Sequence, residues 1–180
     1  MSGAEIIILN RDVVAVMVPS GARLVLQRGT EVKIMQNKGD NYTVEAFGNL
    51  AMIAGTDADS LGKVPVDILS QMPPGSTLED QAWFIMKTIY DPEIPVNIVD
   101  LGLIYQVNIK SDDTLGCQIE VTMTLTAPGC GMGPVIASEV ETKLLLLPEV
   151  EHVLVTIVFE PLWHQGLMSE AAQLELGMFD

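Results

Sequence analysis

Cysteine is nearly absent from this chain: Cys117 and Cys130 are its only two, with twelve residues between them. No Cys-x-x-Cys occurs, and a closed metal site takes four protein ligands, so one chain cannot complete such a site from its thiols. In a reducing compartment the pair reads as two thiols rather than a disulfide. Basic residues are scarce as well, 9 Lys and Arg against 24 Asp and Glu, for a net charge of -15. Nucleic acid and anionic membrane surfaces both require a basic footprint, so neither is expected as a partner. Long hydrophobic runs are missing too. Nothing approaches the roughly 20 apolar residues that cross a bilayer. Met1–Leu9 lacks a basic start and its apolar run is too short for a signal-peptide core. A cytoplasmic location is the resulting expectation.

What is present suffices for a packed core, with 48% hydrophobic and 18% charged residues. Between Glu5 and Ile53, short β-branched stretches alternate with turn residues such as Pro19-Ser-Gly21, Arg28-Gly29, Asn37-Lys-Gly-Asp40 and Gly48-Asn49. This spacing predicts a small all-β domain over residues 1–60, a barrel or sandwich, with strands at Glu5–Leu9, Asp12–Val18, Arg23–Gln27, Glu31–Gln36, Asn41–Ala46 and Leu50–Ile53. Residues 61–76 read as a linker, since Gly62, Pro65, Pro73, Pro74 and Gly75 break any long element. Gly55–Lys63 fails as a phosphate-binding loop because its glycines are one residue too far apart and Val64 replaces the needed Ser or Thr. Asp57 and Asp59 lack the later ligands of a calcium loop. A solvated, turn-forming connector is expected there.

Residues 77–180 read as a second, α+β domain, an α/β-like layer in the order helix, strand, strand, helix, strand, helix. Ser76-Thr-Leu-Glu79 predicts a capping box, followed by a stripe of Leu78, Ala82, Ile85 and Ile89 bordered by Trp83, Met86 and Tyr90, with Asp91-Pro92 as the stop. Strands are expected at Leu103–Ile109, Gln118–Leu125 and Val150–Phe159, in a sheet of three or four, the second with Ile119, Val121, Met123 and Leu125 on one face and Glu120, Thr122, Thr124 and Thr126 on the other. A helix runs to about Leu147, and a short last helix spans Met168–Leu176 with Ser169 as its cap.

Two constellations carry potential chemistry. In Pro128-Gly-Cys-Gly-Met-Gly-Pro134, which overlaps Thr126–Met132, three glycines and two prolines bend the chain between a strand end and a helix start. Backbone N–H groups and the helix dipole there favour a thiolate at Cys130, fit for nucleophilic attack or metal ligation, while the glycines leave room for a bulky group. Cys130, Gly129, Gly131 and Thr126 are the candidate site. The alternative is a buried cysteine filling a gap. Cys117, at a strand start, reads as a packing or surface thiol. Any cluster on Cys130 needs its other ligands from a second subunit, a partner or a small thiol. The second constellation is Asp91-Pro-Glu-Ile-Pro-Val-Asn-Ile-Val-Asp-Leu-Gly-Leu-Ile-Tyr105, in which Asp91, Glu93, Asn97 and Asp100 either line a pocket or pin the loop by side-chain to backbone bonds. His152 and His164 are the only imidazoles; a cysteine hydrolase would need one of them beside Cys130, and no orienting third group is evident.

At these residues the chain resembles the domain shared by the SufT and PaaD proteins and the eukaryotic cytosolic iron–sulfur targeting factors. The carrying motifs are Asp91–Tyr105, Met123-Thr-Leu-Thr-Ala-Pro-Gly-Cys130, Phe159-Glu-Pro-Leu-Trp163 and Met168-Ser-Glu-Ala171, together spanning about residues 77–178. The N-terminal segment looks like an extension found in SufT, which would carry the resemblance over the whole chain. The resemblance implies a non-catalytic accessory or carrier in iron–sulfur protein maturation, with Cys130 as the reactive cysteine and Asp91 and Glu93 in its acidic loop. The first hypothesis is transfer of transient iron or an iron–sulfur cluster through Cys130, from a homodimer or in complex with an apo client protein, with other assembly factors as further partners. Two positions depart from the family pattern: Gly131 stands where many relatives have proline, and His164 where they often have threonine. A metal-free adaptor in the same pathway and a cysteine-dependent enzyme are the alternatives.

Overall fold

The structure is a computed structural model and describes residues 4–38, 41–91, 94, 96–127, 129 and 131–177. Its first half is an antiparallel sheet of strands β1 (Glu5–Ile8), β2 (Val13–Met17), β3 (Arg23–Leu26), β4 (Glu31–Lys38), β5 (Asn41–Ala46) and β6 (Asn49–Ile53). The order across the sheet is β1-β4-β5-β6-β2-β3. The period-two pattern holds: Val13 and Ala15 are buried while Val14 between them is exposed. Among the described residues no ladder joins β1 to β3, so the expected barrel or sandwich is realised as a single open sheet. Its core contains Leu9, Val13, Leu26, Val32, Val44 and Ile53. The turn between β5 and β6 falls at Phe47-Gly48, both at positive φ, one residue earlier than the expected Gly48-Asn49.

The stretch expected to be a solvated connector is folded. Gly55–Leu61 forms a 3-10 helix whose Ala58, Ser60 and Leu61 are buried. Arg11 explains why the aspartates belong there. Its Nε donates to Asp59 at 2.7 Å and its second terminal nitrogen to Asp57 at 3.0 Å. The pairing holds the Asp59 carboxyl below the usual carboxylate range, chiefly through the Arg11 hydrogen bond. A lone pair of acidic residues in sequence cannot reveal a cation 46 positions upstream.

The second half is an α+β layer. Helix α1 (Leu78–Met86) is followed by β7 (Ile104–Asp112), β8 (Gly116–Met123), α2 (Gly133–Leu144), β9 (Val150–Ile157) and α3 (Glu170–Glu175). This is the expected order. The described strands make a three-stranded sheet, β7 antiparallel and β9 parallel to the central β8, with α2 as the crossover between the parallel pair. On β8, Ile119, Val121 and Met123 all point into the core. The capping box of α1 is displaced by one residue from its expected place. Thr77 Oγ1 accepts from the Asp80 N–H at 3.1 Å, and Asp80 accepts in return from the Thr77 N–H at 3.2 Å. Ser76 is unavailable because its hydroxyl donates to Pro73 O at 2.6 Å in the preceding turn. Met86, expected at the border of the buried stripe, is fully buried. The helix also stops before Asp91: Thr88 folds back onto Ile85 O through both its amide and its hydroxyl, and Tyr90 enters a β-bridge with Asn97.

The two halves meet along α2. Glu139 and Lys143, one turn apart and both buried, pair at 3.2 Å. Asn41 of β5 donates to Glu139, and Lys143 reaches Thr88 Oγ1 at 3.3 Å. Sequence spacing places Lys143 on the apolar stripe of α2, and its buried ion pair shows how a charge is tolerated there.

Candidate functional site

The acidic loop between α1 and β7 is closed upon itself and clamped from outside. Asn97 Oδ1 accepts from the Asp100 N–H at 2.9 Å, and Asn97 Nδ2 donates to Asp100 Oδ2 at 2.6 Å. Asp100 O then accepts from the Ser169 N–H at 2.8 Å, and Leu101 O from Trp163 Nε1 at 2.7 Å. Gly102 has φ +78°, and a side chain there would run into the Leu167 backbone. The C-terminal motif residues Trp163 and Ser169 thus serve as the clamp of the acidic loop. Sequence reading grouped these motifs without seeing that connection, because the partners lie 62 positions apart in the tryptophan bond.

Among the described residues, Asp91 and Asp100 do not line the same pocket. Asn97 and Asp100, with Tyr90, Val96, Ala172 and Glu175, line a cavity of about 230 Å³ beside α3. Asp91 is buried and lines a separate crevice of about 20 Å³ with Asn41, Tyr90 and Glu139, against the N-terminal sheet. Its amide donates to Val96 O at 3.3 Å. Glu93 lies outside the described residues.

The glycine-rich loop has the opposite character. Cys130 itself lies outside the described residues, as does Pro128. Gly129 and Gly131, its sequence neighbours, are exposed. Among the described residues a Cβ at Gly129 would meet nothing within 4 Å, and one at Gly131 only Pro19 Cβ at 3.9 Å, chain neighbours aside. Gly133 differs: a Cβ there would stand 2.8 Å from Leu125 Cδ1, so this glycine lets α2 pack on the strand end. Met132 is the N-cap of α2 and provides no side-chain cap, and Pro134 stands in the first turn. The N-cap residue thus offers no side-chain acceptor to the first N–H groups of the helix, where the dipole favours negative charge. Thr126 is half-buried. Thr124, two residues before it, has a buried hydroxyl oxygen with no hydrogen-bond partner among the described residues. Strand alternation placed Thr124 on the polar face; the end of β8 at Met123 turns it inward instead. His164 is exposed and caps a short turn by accepting from the Gly166 N–H at 3.1 Å, while His152 is an exposed residue of β9. Cys117 is half-buried at the start of β8.

Residues 79–156, which hold both loops, match the family model described as iron-sulfur cluster assembly protein. A relative from Porphyromonas gingivalis, named Fe-S protein maturation auxiliary factor, is 46% identical over 93 residues, which cover 52% of this chain and 85% of the relative. The chain belongs to the iron–sulfur cluster assembly protein family. Two further relatives carry related names. The maturation auxiliary factor SufT of Staphylococcus aureus is 43% identical, with 50% of this chain and 98% of the relative covered. The auxiliary factor YitW of Bacillus subtilis is 39% identical, with 56% and 95% covered. The likeness to these relatives takes in about half of this chain rather than all of it. The six-stranded sheet lies outside the family-model match. No helix among the described residues is long and apolar enough to cross a membrane.

Proposed function

We propose that the protein is an accessory factor in the maturation of iron–sulfur proteins that acts through Cys130, holding iron or an iron–sulfur cluster in transit as cargo. The observation that supports this reading is the room beside Gly129 and Gly131 among the described residues, just ahead of a helix whose N-cap residue Met132 makes no side-chain cap. A thiolate is stabilised in such surroundings, and a bulky cargo can approach. Among the described residues no cluster of three or more His, Cys, Asp or Glu is arranged to hold a metal ion. Since Cys117 is the one other cysteine of the chain, the remaining ligands would come from a second copy of the chain, a client or a small thiol, which suits transfer rather than storage. A homodimer, apo client proteins and other assembly factors are the partners this chemistry calls for, and a cytoplasmic location fits thiol-based handling of iron.

The clamped acidic loop favours a second reading, a metal-free adaptor. Its rigid backbone, fixed by Asn97, Trp163 and Ser169, would present a defined surface to other assembly proteins. Anaerobic reconstitution with iron and sulfide separates the two. The carrier reading expects visible absorbance and bound iron in the wild type and loss of both in Cys130→Ser. Equal, negligible iron in both proteins favours the adaptor.

A further inference from the structure

Among the described residues the two sheets end in four edge strands, β1 and β3 in the first and β7 and β9 in the second. Three of these edges carry paired charges. Glu5 of β1 meets Lys63 at 2.9 Å, Arg23 of β3 meets Glu141 at 4.0 Å, and Lys110 of β7 meets Glu120 at 3.1 Å. Charged side chains are a common guard against an edge pairing with another chain. β9 has no such guard past its start: in His152-Val-Leu-Val-Thr-Ile157 the histidine is the one ionisable side chain. Glu151, just before, turns its carboxylate over Gly116 of its own chain, where a Cβ would collide with it.

The backbone of this edge is also unspent. In a parallel pair, alternate residues of an edge strand turn both N–H and C=O towards the neighbour and the others turn theirs away. The Val158 N–H donates to Met123 O at 2.8 Å, so the even-numbered residues of β9 bond to β8, while Val153, Val155 and Ile157 direct their groups to the open side. No bond to those groups exists among the described residues. The chain that follows leaves the edge uncovered because it crosses the end of the sheet towards β7: Tyr105 Oη donates to Pro161 O at 2.7 Å, and Trp163 reaches Leu101 O. On the face of β9 turned away from the core, Leu154 is 51% exposed between the exposed His152 and Thr156.

We propose that β9 is a self-association edge, pairing antiparallel with β9 of a second copy about a two-fold axis at Leu154 and joining two three-stranded sheets into one of six. About that axis Val153 of each copy meets Val155 of the other in hydrogen-bonded positions, and His152 meets Thr156. Leu154 meets Leu154 in the non-hydrogen-bonded position, where side chains approach most closely. Two chains of net charge -15 repel each other, and this segment lets them meet with no carboxylate in the pairing, which favours a second copy as its occupant. The pairing gives the homodimer of the proposed function an interface but rests on the strand alone, whether or not Cys130 holds iron.

The test is sedimentation equilibrium of the full chain in reductant over about 1 to 100 μM, for the wild type, Leu154→Lys and Leu154→Glu. The wild type is expected to be dimeric at the upper end, and each variant alone to dissociate about tenfold more readily or more, since like charges then meet at the axis. An equimolar mixture of the two variants is expected to recover the dimer, because position 154 faces its own copy only in this register. A monomeric wild type, a dimer that neither variant weakens, or a mixture no tighter than the variants alone overturns the proposal. Hydrogen exchange needs no variant: the Val153 and Val155 amides are expected to exchange more slowly at the highest concentration than at the lowest, and equal rates in a dimeric wild type overturn the proposal. Cys130→Ser is expected to dimerise as the wild type does, so a failure of the iron reading is seen apart from a failure of the interface.

Discussion

The two motif loops of this protein lie in the same half of the fold and are built on opposite principles. The acidic loop spends its polar groups on itself and on the C-terminal segment: Asn97 on Asp100, Ser169 on Asp100, Trp163 on Leu101. Among the described residues little stands near Gly129 and Gly131 of the glycine-rich loop, and Met132 makes no side-chain cap on the helix that follows. On the proposed function, the bonded stretch Asn97–Leu101 would present a fixed surface, while the space beside Gly129 and Gly131 would let cargo approach.

Substitutions in the two loops should therefore differ in what they damage. The largest stability loss is expected at Gly102→Val, which combines a left-handed backbone with a collision against the Leu167 main chain. A cost of about 2–5 kcal/mol should appear as a lower urea midpoint. Asn97→Ala removes both bonds to Asp100 and is expected to cost about 1–2 kcal/mol by the same measurement. Trp163→Phe keeps the ring but leaves Leu101 O without its donor, for about 1 kcal/mol. At the other extreme, Gly129→Ala should change stability by less than about 0.5 kcal/mol, since nothing stands near the added methyl. A midpoint shift in Gly129→Ala as large as that in Asn97→Ala would erase the contrast between the loops.

Much of the architecture was legible because it follows from local periodicity. The β-rich first half, the helix and strand order of the second, the Ser169 cap and the alternation on β8 all express patterns spanning a few residues. The misplacements arise where a distant or competing group decides. Ser76 loses the capping role to Thr77 because Pro73 O engages its hydroxyl. Asp57 and Asp59 belong to a folded segment because Arg11 reaches them from before β2. Burial of Thr124 and the seat of Gly21 on Pro134 depend on chain crossings that no window of sequence contains. For the site, residue types pointed to the glycine-flanked cysteine and the acidic loop. That Asp91 lines one crevice and Asp100 another cavity could come only from the fold.

The most direct test of the central claim is activation of an apo iron–sulfur client by the full-length protein under anaerobic conditions, wild type against Cys130→Ser, with unfolding midpoints measured alongside. The account predicts loss of client activation in Cys130→Ser with no change in midpoint. Full activation by the serine variant would contradict it.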